Sequence, residues 1–163
     1  MPSLPETSRR HRMTIEAHVD KLPELAEMIG RVPPEDYAAR FEVECGFLMG
    51  QLVPHIEAIE ATRYDRLQAL MGTRHSMAPM RREHDELRGL FDALCTYRKA
   101  AAGDCLDSAA EIGLRRVLYR LYAVLKVHLA EEDLYLGVLE RNLSDEEQDA
   151  LARGMDHPVA GPL

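Results

Sequence analysis

His18, His55, His84 and His128 each sit in a different run of apolar residues spaced three and four apart. Such a run is the inward stripe of an amphipathic helix, where Leu, Ile and Val are usual. A stripe imidazole is either a hydrogen-bonded core group or a ligand. Neutral imidazole is the commonest side-chain metal ligand, and carboxylates join it around hard ions. Glu132 follows His128 by four residues, so the two differ by about 40° around a helix and share a face. Glu131 lies nearly on the same face, and Asp133 lies farther round. Burying Glu132 without a partner would be costly. Four stripe histidines with a stripe carboxylate therefore point to a metal site inside a helical bundle.

His55 is less regular. Its fourth residue on is Ile59, which binds no metal, and Glu60 comes one later. Glu60 is about 140° from His55 on an ideal helix. Pro54, beside His55, distorts the helix and is expected to help the long Glu60 side chain reach inward. Glu57 points the opposite way and reads as solvated. His11 and His157 lie near the ends of the sequence and carry no such pattern. His75 falls in the turn before the third helix, either a solvated turn residue or an extra ligand or gate. Tyr122, Tyr135, Met77 and Met80 read as core filling, the tyrosines with a second reading as hydroxyl donors beside the site.

The helices that must position these groups follow from periodicity and breakers. The first is expected over 14–30, with Pro23 kinking it or delaying its start, and Gly30 and Pro33-Pro34 ending it. The second begins near Pro34-Glu35-Asp36, runs to about Met71 with a kink before His55, and stops at Gly72. The third starts near Met77 or Pro79 and closes at Gly103. The fourth follows Asp107 or Ser108, either a plausible cap, and ends at Asn142. Ser144-Asp-Glu-Glu opens a short last helix in capping-box fashion. No strand-like alternation is present. The expected fold is all-α, an up-down-up-down four-helix bundle with a short extra helix. Its expected limits are 14–153, with a flexible segment over 1–13 and a loose tail over 154–163.

Composition excludes several functions. A net charge of −8 over 163 residues argues against a nucleic-acid partner, which would want a basic stripe. No apolar run approaches the length of a membrane helix, and the first residues show no signal-peptide pattern. The cysteines Cys45, Cys95 and Cys105 are odd in number and form no CxxC. They suit a reduced setting, so a cytoplasmic location is expected. No histidine has a Glu three residues before it, as the paired di-iron carboxylate bundles require. HExxH, P-loop, GxGxxG and GxSxG patterns are absent.

The segments EAHVDKL, FLMGQLVPHIEAIE, MRREHDELRGL and LYAVLKVHLAEEDLYL together resemble the hemerythrin-like family, the HHE cation-binding domain. The resemblance spans about residues 12–141. It implies a non-haem centre of two irons with oxo or hydroxo bridges. By motif position it implies His18, His55, His84, His128 and Glu132 as ligands, with Glu132 bridging. The family usually carries a carboxylate four residues after the second His. Ile59 stands there, so Glu60 is expected to substitute as the sixth ligand. Oxygen carriers of the family have two His four apart on the third helix, whereas Met80 and Arg88 flank His84 at those positions. The set thus resembles the members with four His and two carboxylates, among which iron-centre repair and peroxide or nitric-oxide chemistry occur.

Three functions stay open on this reading. The first is binding of O2 or NO at open iron positions, for storage or sensing. The second is a di-iron enzyme acting on peroxide or repairing iron centres, with Tyr135 or His75 as helpers. The third is a degenerate single-ion or structural bundle, which Ile59 motivates. No protein partner is specified.

Overall fold

A computed structural model describes residues 4–72, 76–102 and 106–155, with side-chain surroundings given for 12–72, 76–101 and 106–150. Every element among them is helical. α1 spans Leu4–Val19 and α2 spans Leu22–Met28. α3 (Pro34–Phe47) passes through a π-helical segment, Leu48–Leu52, into α4 (Val53–Met71). α5 covers Ala78–Ala102, α6 Ser108–Asn142 and α7 Asp145–Met155. Among the described residues no helix is long and apolar enough to cross a membrane.

Three local features differ from the periodicity. The first helix begins at Leu4, inside the segment expected to be flexible, because Pro5 is harmless in a first turn and the arginines after it are good helix formers. The stretch expected as one helix over 14–30 is two. Pro23 has no N–H for the carbonyl of Val19, so the chain turns at Asp20-Lys21 and restarts with Pro23 in the first turn of α2. The distortion caused by Pro54 falls upstream of it, where the Val53 N–H reaches back five residues to the Leu48 carbonyl. Pro54 cannot donate to Gly50, and a wider turn there relieves the clash of its ring. Gly30 (φ 74°) and Gly72 (φ 64°) take left-handed backbone at the ends of α2 and α4. Gly103 lies outside the described residues.

The caps agree with the sequence. The Asp107 side chain accepts from the Ala110 N–H at 2.8 Å and starts α6. Ser144 and Glu147 form the reciprocal box before α7, with Ser144 N–H to Glu147 Oε2 at 3.0 Å and Glu147 N–H to Ser144 Oγ at 3.4 Å.

Four arms pack together: α1–α2, α3–α4, α5 and α6. α6 is central and touches α1, α2, α4 and α5. The core is divided. A larger cluster gathers Ile15, Leu22, Phe41, Leu48, Leu87, Phe91, Leu118, Leu121 and Leu125. A smaller one holds Ile59, Leu67, Met77, Met80, Leu139 and Leu143. Buried polar side chains lie where the two meet. Leu121 is wholly buried in the larger cluster. Leu121→Ala is expected to cost about 2–5 kcal/mol in denaturant unfolding, with an unchanged slope.

Candidate metal centre

His84 on α5 and His128 on α6 are 0% and 4% exposed, and their Nε2 atoms stand 3.2 Å apart. Behind each ring is a carboxylate. Glu60 Oε2 is 2.9 Å from His84 Nδ1, and Glu83 Oε2 is 2.9 Å from His128 Nδ1. A carboxylate there accepts, so each Nδ1 keeps its proton and each Nε2 presents its lone pair. Burial pushes the His84 pKa down to about 4, against the pull of Glu60, so the ring is neutral at neutral pH. That is the form a metal requires.

Glu60 keeps its charge. Burial opposes this, but hydrogen bonds from His84, Arg88 and Arg81 outweigh it and hold the carboxyl at about 2. Arg88 Nη2 is 2.8 Å from Oε2, and Arg81 Nη1 is 2.9 Å from Oε1. Glu60 therefore occupies the edge of His84 opposite the nitrogen that faces His128. The spacing leads us to expect it as the sixth ligand, and in this structure its Oε2 lies against His84 Nδ1. The π-helical segment ends at Leu52, and the chain from Val53 to Met71 is regular α-helix. The five-residue offset from His55 keeps its full 140° or so.

Glu132 lies in the layer between the clusters. His55 Nε2 and the Arg63 guanidinium (Nη1) are each 3.9 Å from its Oε1. Arg63 is 2% exposed. Burial pushes the Glu132 carboxyl pKa up, opposed by Arg63, His128 and Arg12. The Tyr64 hydroxyl is 2.9 Å from His84 Nε2 and donates to it. Burial, with Glu132 and other carboxylates nearby, raises the Tyr64 pKa well above the ordinary tyrosine range, so the group is a donor and not a base. His18 repeats the imidazole–carboxylate pattern at a distinct place. Its Nδ1 is 2.6 Å from Glu44 Oε2, and its ring stacks on Phe47 at 3.7 Å.

The structure thus pairs His84 with His128, sets His55 beside Glu132, and holds His18 against Glu44. Sequence reasoning missed Glu44, Glu83, Arg63 and Tyr64. Arg63 was legible, because it continues the four-residue spacing His55, Ile59, Arg63, Leu67. Glu44 and Glu83 carry the weaker signal of an acid beside a stripe residue. Tyr135 lines a small cavity with Arg63 and Glu132. Tyr122 packs on the larger cluster. His75 and Cys105 lie outside the described residues. Burial pushes the Cys45 thiol up to about 12.

Among the described residues, no three His, Cys, Asp or Glu side chains are gathered tightly enough to hold an ion as they stand. The His84–His128 pair nevertheless fits one. Two nitrogens bound at about 2.0–2.1 Å to a common ion are about 3–3.4 Å apart at ordinary coordination angles, and the observed separation is 3.2 Å.

Two cavities of about 10 Å³ each border Glu132, room for about one water. A cavity of about 330 Å³ lies at the other end of the bundle, lined by Pro34, Tyr37, Phe41, Leu106 and Glu111 among others. It is some 25 Å from the histidines along α6, and its second carboxylate, Glu42, is taken by Arg98.

A family model described as the hemerythrin HHE cation binding domain matches residues 16–139. No curated protein and no solved structure matches the chain. The match covers well over half of the 163 residues, and the all-α bundle agrees with it. The chain belongs to the hemerythrin HHE cation-binding family and is a metal-binding protein.

Proposed function

We propose that this member of the family is a non-haem iron protein that binds O2 or NO at an open iron position, for storage or sensing. The observation that carries the reading is the His84–His128 pair. Both rings are buried, both Nδ1 atoms are held by carboxylates, and the Nε2 atoms are 3.2 Å apart. His84 and His128 would hold iron, with His55 and Glu132 completing the set from the same layer. Iron bound there supplies redox change and coordination positions that protein atoms do not fill.

The chain's own residues favour binding over turnover. Ile59, Met80, Leu129 and Leu136 wall the two small cavities and limit water. Tyr64 offers a hydrogen bond next to His84, and its raised pKa keeps the hydroxyl protonated and makes it a weak acid.

The test uses the full chain loaded with Fe(II) without oxygen. Addition of O2 or NO is expected to give a reversible charge-transfer band, absent from His128→Ala. No spectral response to either gas from iron-loaded protein would sink the reading. Catalytic O2 release from peroxide that His128→Ala abolishes would instead support an enzyme.

A further inference from the structure

We infer that the centre takes one ion per chain, because the Arg63 guanidinium is a built-in cation where a second ion would have to be compensated. The inference rests on the metal-binding reading above and concerns its stoichiometry. Charge and placement carry it. Glu132 meets both a stripe histidine on α4 and the buried arginine. Its Oε1 already lies 3.9 Å from Arg63, which is 2% exposed. The other glutamates of the layer are spent elsewhere. Glu60 and Glu83 each back the Nδ1 of one imidazole, and Glu44 backs that of His18.

Ile59 stands between His55 and Arg63 on α4, 5% exposed and packed with Leu67, Met80 and Leu139. It brings no charge to the layer. A divalent ion on the His84–His128 pair can share Glu132 with Arg63, with the Glu60 carboxylate behind the His84 ring. A second divalent ion beside Glu132 would meet the guanidinium in a buried layer, and like charges at such short range repel. The α4 spacing His55, Ile59, Arg63 thus replaces a ligand and an ion by an apolar residue and a fixed cation.

The experiment is an oxygen-free titration of metal-free full chain with Co(II), followed by its visible absorption and checked by elemental analysis after desalting. Wild type is expected to saturate at one equivalent. Ile59→Glu/Arg63→Leu, if its helical circular dichroism and melting are retained, is expected to saturate at two. Saturation of wild type at two equivalents would overturn the inference while leaving the metal-binding reading intact. A folded double variant that still stops at one would also overturn it. Absence of uptake by wild type would overturn both. If the double variant does not fold, Arg63→Gln decides. Loss of the fixed cation is expected to tighten Co(II) binding by about tenfold, and unchanged affinity would count against the role given to Arg63.

Discussion

His84→Ala is expected to leave the purified protein with less than about a tenth of the wild-type metal content, since it removes one of two convergent imidazoles and ligand-supporting groups alone are worth about 10–100-fold. His84 is the hinge of the layer. Its Nε2 faces His128 and receives the Tyr64 hydroxyl, while its Nδ1 meets Glu60. The comparison that gives the result meaning is Glu60→Gln. If Glu60 were an inward ligand, that variant would lose the ion as His84→Ala does. As the outer partner of His84, it is expected to lower affinity by about 10–100-fold and to recover full content at saturating metal. Elemental analysis at two metal concentrations separates the two cases. Equal, unrecoverable loss in both variants would return Glu60 to the ligand set.

Arg63→Ala is expected to destabilise the metal-free protein strongly. Arg63 is 2% exposed and faces Glu132, whose carboxyl lies in the same buried layer. Removing one member of a buried ion pair leaves the other uncompensated, at about 3–5 kcal/mol. In a chain of this size each kcal/mol moves Tm by about 2–4 °C, so a fall of about 6–20 °C is expected in a metal-free thermal melt. Added metal should recover part of that loss in the variant, because an ion bound beside Glu132 supplies the missing positive charge and binding to the folded state adds to stability. A melt of Arg63→Ala within a degree or two of wild type would show that Glu132 is satisfied without the arginine.

Much of the architecture was legible from spacing. The stripes that carry His55, His84 and His128 became the inward faces of α4, α5 and α6. The caps at Asp107 and Ser144 formed where their side-chain chemistry put them. Helix ends that depend on Gly30 and Gly72 were equally plain, because only left-handed backbone turns there without strain. What spacing misjudged was the effect of prolines. Pro23 split a helix that its apolar stripe made continuous, and Pro54 widened the turn before itself and left the helix after it regular.

By itself, the sequence determined which side chains share a face of each helix, and so which imidazoles enter the core. That follows from the fixed angle per residue along one helix. Only the tertiary structure decided which edge of each ring meets which partner. Rotation and axial shift of whole helices set those meetings, and no periodicity within one helix contains them. Hence Glu60 was expected inside and lies behind His84, Glu83 was passed over and backs His128, and Arg63 fills the layer beside Glu132. The divided core follows the same logic. A row of polar groups at one level of α4, α5 and α6 can be buried only where they satisfy one another, and packing the helices side by side brings them to that level.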